Sequence, residues 1–186
     1  MAKTQYYTAA TLDGFIADEN HSLDWLFEVD REQGGENSFG AFFADIGAMA
    51  MGATTYEWVL EHDRLLEEPE KWRGYYGETP CWVFTHRALP SIPEAEIRFV
   101  EGNVAPVHGE MTRAAAEKNI WLVGGGDLVG QFADQELLDE ILVGVAPVTL
   151  GRGAQLLPRR LTASNLELVD VARDRQFARL SYRVRK

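Results

Sequence analysis

The chain has 186 residues, of which 46% are hydrophobic and 25% charged, and it carries a formal net charge of −11. Length and composition are typical of a soluble globular protein, and we expect a single domain over residues 1–186. Because cationic surfaces bind a phosphate backbone, the acidic balance argues against nucleic acid as a partner. No apolar run reaches the ~20 residues that span a bilayer, so no membrane partner is expected.

The cysteine content and the N-terminal residues indicate a compartment. Cys81 is the single cysteine, and its apolar neighbours favour a buried, inert thiol over a reactive one. The first residues enter a strand pattern at once and lack the apolar stretch of a signal peptide. The four histidines have no metal-ligand spacing. These features predict a cytoplasmic protein without a bound metal.

Strand-like and helix-like segments alternate along most of the chain, which predicts an α/β fold. The chain begins with strands over residues 5–10 and 15–17, and a long polar loop follows them. The first amphipathic helix is predicted by apolar residues at helical spacing, which are Phe39, Phe42, Phe43 and Ile46. After a buried strand at 48–51, the capping-box sequence Thr54-Thr55-Tyr56-Glu57 predicts the start of a second helix.

The second half of the chain continues this alternation and then changes character. Strands are predicted at 81–85, 97–100, 120–123 and 141–148, with a helix at 111–118. Near the C-terminus, segments 166–172 and 177–184 flank a polar turn, and the second of them alternates apolar with polar residues. That alternation is typical of a half-exposed antiparallel strand. We therefore expect a mixed, mostly parallel sheet with antiparallel C-terminal edge strands.

Three of these strands end in segments suited to an anion. Gly124-Gly125-Gly126 follows an apolar strand and precedes a helix, so it is either a phosphate cradle or a tight, crowded turn. Met51-Gly52-Ala53-Thr54 has the same form, with an ordinary helix cap as the alternative. Thr85-His86-Arg87 places a hydroxyl, an imidazole and a guanidinium in a loop, which is either an anion site or a solvated surface.

The three segments together favour one extended phosphorylated ligand. In an open α/β sheet, ligands bind outside the carboxyl ends of the strands, where all three segments are expected to lie. Two helix starts and a cationic loop suit the several phosphates of a dinucleotide. The GxGxxG fingerprint is absent, so an ordinary Rossmann domain is not the favoured interpretation.

The order of motifs along the chain resembles the dihydrofolate reductase superfamily. It is most similar to the branch that contains the reductase domain of the bifunctional riboflavin-biosynthesis deaminase/reductase. The Thr-Leu-Asp-Gly-Phe-Ile-Ala and Ala-Pro-Val-Thr-Leu-Gly segments are the most specific parts of the resemblance. The matching pieces are Ala9-Ala10-Thr11-Leu12-Asp13-Gly14-Phe15-Ile16-Ala17, Trp25, Met51-Gly52-Ala53-Thr54-Thr55-Tyr56, Val83-Phe84-Thr85, Leu122-Val123-Gly124-Gly125-Gly126, Asp139-Glu140 and Ala146-Pro147-Val148-Thr149-Leu150-Gly151-Arg152-Gly153.

This resemblance implies a dihydrofolate-reductase-like three-layer fold and an NADPH-dependent oxidoreductase. It places the nicotinamide near the first strand, the pyrophosphate at the triple glycine and the helix after Met51-Gly52, and the 2′-phosphate at the loop after the next strand. The implied coenzyme-binding residues are Ala9, Ala10, Ile16, Ala17, Gly52, Thr54, Thr55, Thr85, His86, Arg87, Gly124, Gly125, Gly126, Asp127 and Leu128.

Two departures from the family pattern bear on specificity. Folate reductases usually carry a basic residue directly after Met-Gly, where this chain has Ala53, so a preference for NADPH over NADH requires Arg87 to supply most of the 2′-phosphate contact. The riboflavin enzymes typically carry an acidic residue before the triple glycine, where this chain has Val123. The expected substrate is therefore a small heterocycle that is pterin-, flavin- or pyrimidine-like.

A carboxyl group in an apolar pocket can keep its proton and donate it during such a reduction. The first candidate is Glu36 and the second is Asp24, although either side chain could instead be solvated. The expected pocket wall consists of aromatic residues, which could equally pack in the core: Trp25, Phe39, Phe43 and Tyr56.

The function expected from the sequence is thus NADPH-dependent hydride transfer to a small heterocycle. The alternative is a non-catalytic module that senses NADPH or another nucleotide, or sequesters a small molecule. The riboflavin branch and the apolar C-terminal strands also lead us to expect a homodimer.

Overall fold

A computed structural model describes residues 2–29 and 38–186. The described residues form ten strands and six helices. The strands are β1 (Thr4–Thr11), β2 (Phe15–Ala17), β3 (Ile46–Gly52), β4 (Cys81–Phe84), β5 (Ile97–Val100), β6 (Asn119–Gly124), β7 (Glu140–Ala146), β8 (Ala154–Gln155), β9 (Leu166–Asp174) and β10 (Phe177–Val184). The helices are α1 (Asp24–Val29), α2 (Ser38–Ala44), α3 (Ala53–His62), α4 (Glu70–Tyr76), α5 (Val104–Ala115) and α6 (Gly126–Asp134).

Eight strands form one sheet in the order β5-β4-β3-β6-β1-β7-β10-β9. Every pairing in it is parallel except those of β10, which runs antiparallel to β7 and β9. Because β4, β3 and β6 are parallel neighbours, their carboxyl ends lie at the same edge of the sheet. The small strands β2 and β8 pair separately, with Phe15 opposite Gln155 and Ala17 opposite Ala154.

Helices cover both faces of the sheet. On one face α5 and α6 pack against Ala48, Ala50, Ile120 and Leu122. On the other face α2, α3 and α4 pack against alternate residues of the same strands, including Met49, Met51 and Trp121. Strand side chains point alternately to opposite faces, so β3 and β6 are buried on both sides and are apolar throughout. The expected three-layer, mostly parallel fold with an antiparallel C-terminal edge is confirmed.

Helix positions differ from expectation in three places. Residues 24–29 form α1 inside the expected loop, where the Ser22 hydroxyl accepts the Asp24 N–H at 3.1 Å. The sequence analysis predicts no helix at residues 70–76, where α4 follows Pro69, a residue that suits the start of a helix. The α5 helix begins at Val104, before the predicted start at residue 111, because the Asn103 side chain caps it by accepting the Ala105 N–H at 2.8 Å. It ends at Ala115, and the following C-cap residue Ala116 has a φ of +54°.

The C-terminal edge leaves apolar side chains exposed. Leu168, Val169 and Val171 on the edge strand β9 are each more than half exposed. The expected homodimer remains a prediction.

Three further features of the described residues concern the Cys81 thiol, membrane-spanning helices and metal-ligating side chains. Cys81 is buried as expected, and burial raises the pKa of its thiol. Across residues 2–29 and 38–186, no helix is long and apolar enough to cross a bilayer. The same ranges contain no cluster of His, Cys, Asp or Glu side chains that could hold a metal ion.

Candidate active site

The junction between β3 and α3 is a helix N-terminus without a side-chain cap in the described part of the chain. Gly52 ends the strand and occupies the N-cap position, where it has no side chain to bond the first N–H groups of the helix. The predicted capping box at Thr54-Thr55-Tyr56-Glu57 is therefore wrong, because the helix already begins at Ala53. A helix N-terminus whose N–H groups are not capped by a side chain carries partial positive charge and attracts anions.

The junction between β6 and α6 has the same form. Gly124 ends the strand with a φ of +143°, a backbone conformation that residues other than glycine rarely adopt. The Gly124–Gly125 peptide bond is cis. Gly125 is the N-cap and also lacks a side chain. Packing requires a glycine at position 126, because a Cβ on Gly126 would lie 2.5 Å from the Leu156 carbonyl oxygen. Thus Gly124–Gly125 are open to a ligand, whereas Gly126 is crowded by the chain itself.

These two junctions are adjacent. A Cβ built on Gly52 would lie 3.9 Å from both the Gly124 oxygen and the Gly125 nitrogen. A Cβ built on Gly124 would lie 3.8 Å from Thr55 Oγ1. Two helix N-termini therefore converge on one patch of bare backbone. That arrangement suits the two linked phosphates of a pyrophosphate.

The third strand end carries charged side chains, and each is already paired. Thr85 Oγ1 accepts the Arg87 N–H at 2.9 Å and donates to the Arg87 carbonyl at 3.1 Å, which fixes the turn after β4. Arg87 makes a bidentate ion pair with Glu57 of α3, at 2.8 and 2.7 Å. His86 Nδ1 lies 3.5 Å from a Glu101 carboxylate oxygen.

A cleft of about 710 Å³ connects the three strand ends, which is within the usual range for a small-molecule site. Its floor is the pair of glycine junctions, and its walls come from the β2 region, α3 and the β8 region. Most of the coenzyme-binding residues expected from the sequence line it: Ile16, Ala17, Gly52, Thr54, Thr55, Thr85, His86, Gly124, Gly125, Gly126, Asp127 and Leu128.

Three of the expected coenzyme-binding residues do not line this cleft in the structure as described. Ala10 of β1 is 1% exposed and its side chain packs in the core. Its neighbour Ala9 is not among the described lining residues either. Thr8 is the β1 residue that lines the cleft. Arg87 is directed to Glu57.

The expected aromatic pocket wall lies in the core. Tyr56 is fully buried and donates its hydroxyl hydrogen to the Pro90 carbonyl at 2.8 Å, and burial raises its pKa to about 12. Phe39 and Phe43 pack on Trp121, with ring centroids 5.3 and 6.1 Å apart. Trp25 is 6% exposed. In the part of the chain that the structure covers, none of the four expected wall residues lines the cleft.

Of the two expected acids, Asp24 is within the described residues. Glu36 lies outside the described residues. Asp24 is exposed in the first turn of α1 and is not among the described lining residues, although its neighbour Leu23 is. The structure thus provides no carboxyl group in an apolar pocket at Asp24.

Among the described lining residues that the sequence analysis does not predict, His21 and Trp58 carry the side chains of most chemical interest. His21 lies on the β2–α1 loop with a φ of +62°, and Asp18 Oδ1 holds this loop by accepting N–H groups of Asn20 and Ser22 at 2.8 Å. Trp58 lines the cleft from α3 and stacks on His62, which in turn stacks on Phe27. The remaining residues missed in the lining are Thr8, Leu23, Ala53, Phe84, Glu101, Gly102, Val123, Gln131, Gly153, Ala154, Gln155 and Pro158.

A carboxylate ties together the two loops that form one wall. Asp13 accepts hydrogen bonds from the Thr11 hydroxyl at 2.6 Å and from the Gly151 N–H at 2.7 Å, and it also accepts the Leu150 N–H. The Thr11 hydroxyl and these amides hold the pKa of Asp13 below its ordinary value. Gly153 packs so closely on the Ala17 carbonyl that no side chain fits there. The β1–β2 and β7–β8 loops are thereby fixed together.

The sheet order and the two glycine junctions belong to a dihydrofolate-reductase-like fold. The family model of the RibD C-terminal domain matches residues 63–176, more than half of the chain, and the chain belongs to this family. The uncharacterized protein YwjB of Bacillus subtilis (strain 168) is 30% identical over 180 residues, which is 97% of each chain. The resemblance found in the sequence is therefore confirmed.

Solved structures show the same fold. A protein of Shewanella sp. PV-4, provisionally assigned to riboflavin biosynthesis, superposes over the full length of both chains with a TM-score of 0.78 and 22% identity. The dihydrofolate reductase of Enterococcus faecalis, solved with NADP(H), superposes over 99% of this chain and 97% of its own with a TM-score of 0.60 and 13% identity.

Proposed function

We propose that this protein is an NADPH-dependent reductase of a small pterin-, flavin- or pyrimidine-like heterocycle. The observation that carries the proposal is the convergence of two helix N-termini, at Gly52 and Gly125, on one patch of bare backbone. Family membership and the likeness to a dihydrofolate reductase solved with NADP(H) support the same proposal.

The residues of the cleft fit a dinucleotide. Backbone N–H groups of Ala53–Thr55 and Gly126–Leu128 would hold its pyrophosphate, because both segments are first turns of helices of at least nine residues. Ile16 and Ala17 would border the nicotinamide, on the wall that Asp13 fixes. When bound, the reduced nicotinamide supplies the hydride, so the protein has to position the acceptor and deliver a proton.

His21 is the proton donor that we propose for this reaction. Its loop is anchored by Asp18, and it lies on the same wall as Ile16 and Ala17. Imidazole is a side chain that commonly acts as a general acid, and its ring N–H can donate to a bound substrate. The other cleft histidine, His86, lies at the opposite end beside Glu101.

Trp58 is the residue that we propose for holding the ring of the substrate. Its ring centroid lies 4.4 Å from that of His62, with 15° between the planes, and the Phe27 ring lies 5.0 Å from His62 and 6.2 Å from Trp58. A tryptophan fixed in this way offers a flat apolar face to an aromatic heterocycle.

The experiment combines binding and turnover. Calorimetry with NADPH is expected to give saturable binding, and oxidation of NADPH, followed by its near-ultraviolet absorbance, is expected with a member of a panel of pterins, flavins and pyrimidines. His21→Gln is expected to lower turnover and leave NADPH affinity unchanged. Binding without oxidation across the panel would favour the sensor alternative, and no binding would contradict the dinucleotide site.

A further inference from the structure

Recognition of the 2′-phosphate of NADPH needs a cation in addition to the two helix N-termini that would hold the pyrophosphate. Among the lining residues that the structure describes there is no lysine or arginine, and two carboxylates, Glu101 and Asp127, are present. Arg87 directly follows the lining residues Thr85 and His86 and is the arginine next to that end of the cleft.

Arg87 is engaged on both its backbone and its side chain. Thr85 fixes its N–H and carbonyl, so the position of its Cα is set by the turn. Glu57 takes both ends of the guanidinium, in the parallel two-bond geometry that an arginine also uses for a phosphate. The carboxylate therefore occupies the same donor pair that a phosphate would use.

Glu57 is well placed to hold the guanidinium away from the cleft. It lies on α3 immediately before the lining residue Trp58, and its side chain is 34% exposed, against 56% for Arg87. An ion pair this exposed is worth at most about 1 kcal/mol, so a phosphate can displace the carboxylate but gains little by doing so.

We propose that Glu57 is a specificity-determining residue that weakens selection for the 2′-phosphate by competing for Arg87. This inference rests on the proposed function, since it concerns which dinucleotide that site prefers. The native chain then binds NADPH only about two- to threefold more tightly than NADH. Removing the Glu57 charge frees Arg87 for the phosphate of NADPH and changes nothing for NADH.

The test is calorimetry of both dinucleotides with the native chain, Glu57→Gln and the double variant Glu57→Gln/Arg87→Gln. Glu57→Gln is expected to raise NADPH affinity about fivefold, the equivalent of an exposed ion pair, with NADH unchanged. The double variant is expected to lose that gain. The matched control is Glu61→Gln, which removes an exposed charge from the same helix one turn later and leaves the Glu57–Arg87 pair intact.

Each outcome decides a different point. An unchanged NADPH-to-NADH ratio in Glu57→Gln overturns the competition, and so does a gain that persists without Arg87. An equal gain in Glu61→Gln shows a general charge effect and overturns the role of the ion pair. Failure of the native chain to bind either dinucleotide overturns the proposed function itself, and this inference with it.

Discussion

The glycine junctions and the Thr85–Arg87 loop lie on the same cleft but offer a ligand different chemistry. At the junctions the contacts are backbone N–H groups, whose direction is set by α3 and α6 and which the N-cap residues Gly52 and Gly125 do not cap with a side chain. At the loop the contacts are side chains, and Glu57 and Glu101 are close enough to pair with them. The glycine junctions can bind an anion directly, whereas Arg87 in the loop must first release the Glu57 carboxylate.

The largest predicted effect is on stability and concerns Gly126, the glycine that the chain itself crowds. In Gly126→Ala the new Cβ would meet the carbonyl oxygens of Gln155 and Leu156, which are backbone atoms that cannot rotate away. We expect a loss of about 3 kcal/mol in the free energy of unfolding, the upper part of the usual range for overpacking. Denaturant titration measures it.

The matched control is Gly125→Ala, whose Cβ would lie 3.7 Å from Ile16 Cδ1, an ordinary contact. It is expected to unfold like the native chain. Equal destabilisation by both substitutions would contradict the distinction between a crowded and an open glycine.

The next effect concerns binding. Gly125→Val fills the floor of the cleft and is expected to lower NADPH affinity by roughly 100-fold, or about 2.7 kcal/mol, while the fold is retained. Calorimetry and circular dichroism report the two properties separately. Gly109→Val is the control, because Gly109 is on α5 with no atom within 4 Å of a built Cβ. Unchanged affinity in Gly125→Val would remove the pyrophosphate from this junction.

A smaller effect is expected at the cationic loop. Arg87→Ala should lower NADPH affinity only two- to threefold, because the guanidinium is already satisfied by Glu57 and an exposed pair is worth about 1 kcal/mol at most. Competitive titration of NADPH against NADH measures it. A loss as large as that of Gly125→Val would show that both ends of the cleft contribute equally.

The smallest effect concerns the wall opposite the helices. Asp13→Asn keeps the shape but removes the charge that Thr11, Leu150 and Gly151 stabilise, so a modest drop in melting temperature is expected at neutral pH. Since the pKa of Asp13 is lower in the folded chain, its contribution is complete above the unfolded value of about 3.9 and is lost as the pH falls through the folded value. The difference between the two chains should therefore shrink in acid, and a pH-independent difference would contradict this account.

The same contrast explains how much the sequence could predict. The glycine junctions follow from local sequence, because an apolar strand, a glycine and a helix start imply free N–H groups wherever the strand lies. The state of Arg87 does not, because Glu57 is thirty residues away along the chain and meets it only through packing of α3 beside β4. His21 and Trp58 were missed for a related reason. A polar loop residue carries no periodic signal, and a helical tryptophan beside buried Val59 and Leu60 has the pattern of a core residue.

The aromatic residues show the converse. The sequence leaves Phe39, Phe43 and Tyr56 as either a pocket wall or core residues, because helical spacing of aromatic residues reports a buried face and not what that face meets. They pack under the sheet, where Trp121 fills the space between them and β6.

The most direct test of the two converging helix N-termini is an amide NMR titration of the native protein with NADPH. The account predicts that the largest backbone N–H shifts occur in two separate segments, Ala53–Thr55 and Gly126–Leu128, and saturate together. Saturable shifts confined to other parts of the chain, or no shifts at all, would contradict it.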